Sequence, residues 1–320
     1  MSKESFKQPI KREEPPIKEM EKKLDKAEKM VEEVEKRWKD KIEEKSSEKL
    51  SKKIEEVYDE KKQELVRKNV FEGEIYSSIQ KEILPKILKI PPSLLEKTLQ
   101  KVIRIYEEKE YNETHFGLLL SALINRTVEE YIESQERKGK KLEEIKPLEI
   151  YLNLIKLPRK LYYLGYGNSE KSHLFLKGDV DWNLGKYMTG GKIIVEGNSG
   201  WGVGEEMKGG EIIITGDAGN KAGFAMKSGK IMVKGSATPL VGYYMTGGEI
   251  IVEGNVGRMA GAEMENGTLE IKGDAESFDK SAFSPRNHGT IIWKGIEIWR
   301  NGNWTKEGKE MWEKGEIPVG

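Results

Sequence analysis

The chain has 320 residues, enough for two or three domains, and its 55 basic side chains balance 55 acidic ones. That balance argues against nucleic-acid binding, because nucleic-acid-binding proteins usually carry a basic excess. The absence of cysteine excludes disulfides, Cys-ligated zinc and Cys-ligated iron–sulfur clusters in this chain. No stretch reaches the roughly 18 to 20 apolar residues of a membrane helix, and no signal peptide is visible in the first 30 residues. We therefore expect a cytoplasmic protein with no membrane attachment.

The segment 1–70 is predicted to form an arm followed by a long helix. Residues 1–15 are polar, end at a Pro-Pro pair and are expected to be disordered. From Ile17 to Trp38, apolar residues recur at alternating spacings of three and four, which is the a/d pattern of a coiled coil. Residues 16–70 are therefore predicted to be a long charged helix or coiled coil. Its apolar stripe needs a partner surface within the chain or on a second chain; the alternative is a single solvated helix.

Residues 71–157 have a more globular helical pattern and are predicted to form a small helical domain. Isoleucine marks one helical face over residues 75–83, and Pro85 should kink or stop that helix. A second helix should open near Pro92. Asn112 is a candidate N-cap for a third, because its side chain can accept a hydrogen bond from the first helical turn.

After Gly165 the sequence changes character, and a repeat appears in which equivalent residues stand 19 positions apart. Fixed periods of this length are typical of solenoids. Three glycine columns and one methionine column repeat at this interval. The columns comprise Gly191, Gly210, Gly229, Gly248 and Gly267; Gly178, Gly197, Gly216, Gly235, Gly254 and Gly273; Gly185, Gly204, Gly223, Gly242 and Gly261; and Met188, Met207, Met226, Met245 and Met264.

Short β-branched runs between these glycines predict one turn of a parallel β-helix per repeat, each coil stacked on the last at roughly 4.8 Å. The position before each run alternates in charge through Lys192, Glu211, Lys230 and Glu249, as expected for vertical neighbours. The predicted fold class is thus multidomain α plus β, with a helical N-terminal half and a parallel β-helix over residues 158–302. Residues 303–320 are predicted to be a C-terminal tail or cap.

The repeat is broken at Asp279–His288, because the glycine that follows Gly267 in its column is Gly289, three positions later than the period requires. Insertions that break a repeat often carry binding roles, so this loop is the most enzyme-like place in the β region. It contains Ser281, Ser284, Arg286 and His288. One histidine and two serines without a placed acid do not make a catalytic triad, so contact with a partner is the favoured interpretation.

Other motifs favour structural interpretations. The glycine-rich run 200–204 is followed by another coil and not by the helix that a dinucleotide site requires. The methionine column favours an apolar ladder over a soft-metal site, and the Asp/Asn/Ser column from Asp179 to Asp274 favours turn stabilisation over calcium binding. His115, His173 and His288 are too few for most imidazole metal sites. We therefore assign no catalytic, cofactor-binding or metal-binding residue and expect no cofactor in this chain.

The motif Gly-Gly-x-Ile-x-Val-x-Gly-Asn/Asp-x-Gly-x-x-x-Gly-x-x-Met-x-Gly-Gly resembles the GXGXG family over residues 174–275. That family includes the C subunit of formylmethanofuran dehydrogenase and the C-terminal domain of the glutamate synthase large chain. The resemblance implies a right-handed parallel β-helix with a structural role, while metal, flavin or amidotransferase chemistry lies on other domains or subunits. Residues 1–157 match neither relative.

Three functions follow as expectations. The first is a non-catalytic scaffold or assembly protein that offers a β-helix docking surface to protein partners. The second is an accessory subunit of a formylmethanofuran dehydrogenase- or glutamate synthase-like oxidoreductase complex. The third is an enzyme with a site at the 279–288 loop. Expected partners are oxidoreductase subunits, or a second copy held through the N-terminal helices.

Overall fold

The computed structural model describes residues 42–67, 72–87, 89–109, 112–155, 157 and 159–320. The predicted disordered arm and the coiled-coil pattern up to Trp38 lie outside the described residues. A compact unit spans Ser46–Gly320. It consists of a helical region followed by a parallel β-solenoid of about six turns with coils of about 19 residues, so the predicted fold class is confirmed. The right hand of the solenoid stays a prediction.

The helical region begins with apolar faces that the sequence predicts. Leu50, Ile54 and Val57 are buried on the first helix. The Asn112 side chain accepts a hydrogen bond from the backbone N–H of His115 at 3.0 Å, which confirms the predicted N-cap. The elements are α1 (Ile42–Arg67), α2 (Glu72–Ser78), a π-helical turn (Ile79–Ile83), a 3₁₀ turn (Leu84–Lys86), α3 (Pro92–Lys109) and α4 (Glu113–Glu136).

Ten strands form one sheet in which every strand pairs with its neighbours in sequence order. Strands β1 to β8 are parallel, and β9 and β10 turn back antiparallel. The strands are β1 (Leu148–Asn153), β2 (Ser172–Lys177), β3 (Lys192–Glu196), β4 (Lys208–Ile214), β5 (Ser228–Val233), β6 (Glu249–Val252), β7 (Thr268–Ile271), β8 (Thr290–Trp293), β9 (Ile296–Arg300) and β10 (Asn303–Trp304).

The solenoid begins earlier than the sequence predicts. Strand β1 lies inside the segment 71–157 that the sequence assigns to a helical domain, yet it pairs with β2 along its whole length. The helical boundary at 157 is therefore wrong for this strand. The coil escaped detection because Leu148 pairs with Ser172, 24 positions on, and the glycine columns do not extend to it.

The alternating charges before each strand are vertical neighbours, as predicted. Lys192 pairs in register with Glu211, and their side chains form an ion pair of 2.5 Å. Lys230 and Glu249 repeat the contact at 2.8 Å two coils further on. These pairs are partly exposed, so each contributes at most about 1 kcal/mol and mainly disfavours a shifted register.

Each methionine of the buried column fills the space that a glycine leaves one coil later. A Cβ placed on Gly210 would lie 2.5 Å from the Met188 methyl carbon, and one on Gly229 would lie 2.7 Å from that of Met207. The same contact recurs at Gly248, Gly267 and Gly289. Because the methionines are no more than 2% exposed, they cannot turn outward to make room. Glycine and methionine therefore interlock successive coils.

Both ends of the sheet are covered, as solenoid edges require. At the first edge, Glu96 on α3 accepts a hydrogen bond from the Tyr151 backbone N–H at 3.3 Å. Gln100, one turn on, accepts from the backbone N–H of Asn153 and donates to its carbonyl, both at 3.0 Å. Helix α3 thus satisfies polar backbone groups of strand β1.

The other end is covered by residues 280–313. Helix α5 (Lys306–Glu313) follows β10, and Phe283 stacks on Trp304 with ring centroids 4.5 Å apart. The indole N–H of Trp299 donates to the Asn287 carbonyl at 3.0 Å. These aromatic contacts replace the coil that would otherwise continue the stack.

We predict that Gly229→Ala destabilises the protein more than Gly295→Ala. Both glycines have positive φ, +95° and +76°, so both substitutions strain the backbone by about 1 kcal/mol. A Cβ added at Gly229 would also lie 2.7 Å from a methionine methyl and 2.7 Å from a carbonyl oxygen. A Cβ added at Gly295 would have nothing within 4 Å. Overpacking should add about 1 to 3 kcal/mol. Thermal unfolding of both variants measures the difference, and equal losses would contradict the interlock.

We also predict that Glu96→Gln stabilises the protein at about pH 8 but not at about pH 4. Burial raises the pKa of Glu96 from 4.5 to about 7. Between these values the folded chain binds more protons than the unfolded chain, so the wild-type free energy of unfolding falls as the pH rises through that window. Glutamine stays neutral and avoids this loss of up to about 3 kcal/mol.

Denaturant unfolding at several pH values measures the Glu96 effect, with Glu143→Gln as the control because Glu143 is exposed. The control should change stability little at any pH. A Glu96→Gln gain that is the same at all pH values would contradict burial of the charged form as its cause.

Candidate functional site

The 279–288 loop is part of the C-terminal cap, and its polar groups have local partners. The Ser281 hydroxyl donates to Asp279 and accepts from the Glu263 backbone N–H, both at 2.6 Å. His288 Nδ1 lies 3.3 Å from the Asn301 side-chain oxygen. Asn287, fully buried, donates to the Ala282 carbonyl at 2.7 Å. Within the described hydrogen bonds, none joins a serine of this loop to its histidine.

The other two histidines are buried or half-buried. His115 is buried near the start of α4, and burial lowers its pKa. His173 on β2 is half-buried, and burial lowers its pKa also. In the part of the chain that the structure describes, no group of three His, Cys, Asp or Glu side chains is placed to hold a metal ion.

The polar column that could suggest calcium forms a hydrogen-bonded ladder along the solenoid. In each step a side-chain oxygen accepts from the backbone N–H of the equivalent residue one coil later. The step from Asp179 to Asn198 is 2.8 Å, and the step from Asp217 to Ser236 is 2.7 Å. The remaining steps run through Asn198–Asp217, Ser236–Asn255 and Asn255–Asp274 at 2.8, 3.1 and 2.8 Å. These side chains stabilise the corners.

A buried lysine joins the helical region to the solenoid. Lys186 donates to Glu72 on α2 and to Glu205 on the next coil, the latter at 3.0 Å. Burial disfavours its charged form, but the two carboxylates outweigh burial and raise the Lys186 pKa above its usual range. Both partners are close enough to keep the charge compensated, so we interpret this cluster as a structural joint.

A shallow hollow of about 260 Å³ lies between the π-helical turn and α4. Its one cationic lining residue, Arg126, already donates to the carbonyls of Leu84 and Ile87 and pairs with Glu130 at 3.1 Å. Because these partners occupy the guanidinium, the hollow offers little to an anionic ligand.

One corner of the solenoid exposes a row of aromatic and apolar side chains, which we call the corner face. Four of its side chains are large, apolar and 42–47% exposed: Trp182, Trp201, Tyr244 and Met259. Large apolar groups that are exposed side by side mark interaction sites more often than scattered ones do. The corner face comprises Trp182, Trp201, Lys221, Phe224, Leu240, Tyr243, Tyr244 and Met259.

Ring stacking joins side chains of the corner face to one another and to Tyr162. Tyr162 stacks on Trp182 at 5.2 Å and 13°, and Trp182 stacks on Trp201 at 5.9 Å and 27°. Tyr243 and Tyr244 stack at 4.2 Å. Because neighbours cover the faces of the Trp182 ring, its edge is what solvent meets. A sugar or a nucleobase binds to an open ring face, so this arrangement favours a protein partner over either.

The backbone of the corner face is left-handed at three positions in every coil, and two of these three columns hold residues other than glycine. Lys221, Leu240 and Met259 have φ of 60°, 69° and 60°, and the equivalent residue two coils earlier than Leu240 is Gly202. The second column, which holds Tyr187 and Tyr244 among others, has φ between 49° and 58°. A left-handed conformation costs a non-glycine residue about 1 kcal/mol or more. Residues with side chains occupy these left-handed positions although glycine would adopt the backbone without strain. Strained backbone of this kind is typical of functional surfaces.

Sequence reasoning missed this surface. Trp182 and Trp201 stand one period apart and could have been found as a column, but Asn220 follows them. The line continues through Lys221, whose ammonium lies 5.9 Å from the Trp201 ring centroid. The contacts of this surface therefore shift from the column of Trp182 and Trp201 to the adjacent column of Lys221.

The architecture and its regular ladders define the class of protein: a parallel β-solenoid with a structural interior and an exposed aromatic corner. Residues 168–297 match the family model for the GXGXG motif, and this part of the chain is a GXGXG motif domain. The match begins after α4 and β1. A comparison with curated proteins finds no match to this chain. Among the helices that the structure describes, none is both long and apolar enough to cross a membrane.

We predict that Met259→Gly leaves the stability unchanged or raises it, whereas Met259→Val lowers it by about 1 kcal/mol or more. Glycine adopts the left-handed backbone without strain, and a β-branched side chain tolerates it worst. Little packing is lost in either variant because Met259 is exposed. Urea unfolding compares the two variants. If glycine destabilised as much as valine, the strain argument for the corner face would be contradicted.

Proposed function

We propose that this chain is a non-catalytic scaffold or assembly protein whose β-helix offers the corner face to a protein partner. The observation that carries the proposal is the exposed, stacked aromatic line on a rigid solenoid. Rigid surfaces lose little conformational entropy on binding, and aromatic side chains dominate binding energy at protein interfaces.

The family of the solenoid supports the same role. A GXGXG β-helix domain occurs in the C subunit of formylmethanofuran dehydrogenase and in glutamate synthase, and the domain is typical of the subunits of oxidoreductase complexes. The resemblance implies that such a domain organises catalytic parts that lie elsewhere. We carry over that organising role and no catalytic residue.

A more specific alternative is an accessory subunit of a formylmethanofuran dehydrogenase- or glutamate synthase-like oxidoreductase complex. The occurrence of GXGXG domains in such complexes favours it. It differs from the general scaffold in one measurable respect, because the captured partner would itself be a catalytic protein that contains a metal or a flavin.

An enzyme with a site at the 279–288 loop has less support. Ser281 and His288 contact other residues, Asp279 and Asn301, and the loop packs into the C-terminal cap. A catalytic serine would be hydrogen-bonded to its base, and these contacts favour other partners for both side chains.

We predict that the double substitution Trp182→Ala and Trp201→Ala weakens capture of the partner by about tenfold or more without unfolding the chain. Both side chains are nearly half exposed, so their removal creates no large cavity. Truncation of an interface tryptophan commonly costs about 2 kcal/mol or more. The tagged full chain is used as bait in an extract of the source cells, and bound proteins are quantified by mass spectrometry.

The matched control is the double substitution Leu142→Ala and Ile155→Ala, which removes exposed apolar side chains outside the corner face. The control should retain the partner fully. Equal retention by the tryptophan variant and the wild type, with thermal unfolding unchanged, would rule out the corner face as the docking surface.

A further inference from the structure

A single cation lies within the aromatic line of the corner face. The ammonium of Lys221 is 5.9 Å from the ring centroid of Trp201, 5.3 Å from that of Phe224 and 5.8 Å from that of Tyr243. Ring faces attract a cation but do not neutralise its charge. The charge is therefore available to a group outside this chain.

Two acidic side chains of the preceding coil are engaged elsewhere. Glu205 pairs with Lys186 at 3.0 Å, and Glu206 pairs with Lys227 at 3.3 Å. Among the ion pairs of the described residues, none includes Lys221. The corner face thus presents a positive charge without a carboxylate to match it.

Lys221 occupies a backbone position that favours glycine. Its φ is +60°, and the preceding residue of the same column is Gly202, which has φ +70°. The column tolerates glycine and would be less strained with it. The backbone therefore does not explain a lysine at this position, and we attribute it to the contacts of the side chain. The three rings hold the side chain in place.

We propose that the partner of the corner face is a protein that places an aspartate or glutamate carboxylate, flanked by apolar side chains, against Lys221. This inference rests on the proposed docking function and adds the chemistry of the partner. A partner that covered the tryptophans without a carboxylate would leave a desolvated, uncompensated ammonium at the interface, which is strongly unfavourable. Complementary charge at the centre of an apolar patch also selects among partners.

The position of Lys221 disfavours a second copy of this chain. The corner face runs over the coils of Trp182, Trp201, Lys221, Leu240 and Met259, and Lys221 lies in the middle coil. In a two-fold dimer whose axis passes through the middle of this face, the middle coil of one copy meets the middle coil of the other. Two lysines would then face each other, whereas an acidic partner removes that repulsion.

The test uses the tagged full chain, the partner captured from an extract of the source cells, and a carbodiimide that couples a lysine amine to a touching carboxylate. Lys221→Glu reverses the charge, and Lys221→Arg keeps the charge but removes the amine. We expect a coupled peptide that joins Lys221 to an aspartate or glutamate of the partner. Lys221→Glu should weaken the dissociation constant by about tenfold or more, and Lys221→Arg by about threefold or less.

Thermal unfolding of both variants establishes that each is folded before binding is measured. If the partner is lost with Trp182→Ala and Trp201→Ala but binds Lys221→Glu normally, this inference fails while the docking function stands. If the tryptophan substitutions leave capture unchanged, the docking function fails and this inference fails with it. Coupling of Lys221 to a second copy of the chain would overturn the assignment in favour of self-association.

Discussion

Successive coils of the solenoid are held in register because the methyl group of each column methionine occupies the space above a glycine of the next coil. A side chain at Gly229 would meet Met207 and a carbonyl oxygen, both at 2.7 Å. This contact repeats once per coil, including the longer coil that ends at Gly289, so it helps to fix the vertical alignment of the other columns. The charged rungs, the polar ladder at the corners and the spacing of the corner face all depend on that alignment.

The solenoid was predictable because identical coils need identical residues at the same places. The period, the alternation of Lys192 and Glu211 and the role of the glycines can be inferred from spacing alone. Strand β1 could not be inferred, because the step from Leu148 to its partner Ser172 is longer than the period and the strand lies against α3 instead of a further regular coil. The sequence of strand β1 is therefore determined by its contacts with helix α3 and does not follow the repeat.

The corner face was hidden for a different physical reason. The aromatic side chains do not follow a single column along the whole solenoid. Trp201 is succeeded by Asn220, and the line continues through Lys221 and then Phe224. The contacts cross between columns at a turn with three left-handed residues per coil, and sequence spacing does not describe such a turn. The 279–288 loop was visible as a break in the repeat, and its contacts place it against the C-terminal helix and strands.

The interior of the solenoid is engaged in its own contacts, whereas the corner face exposes four large apolar side chains along one side. The proposed docking role follows from that difference. Hydroxyl-radical footprinting of the chain, free and bound to its captured partner, tests this most directly because it reports side-chain exposure. The account predicts that Trp182, Trp201, Tyr244 and Met259 lose reactivity in the complex while Trp312 keeps it. Unchanged reactivity at these four residues, with protection around His288 instead, would contradict it.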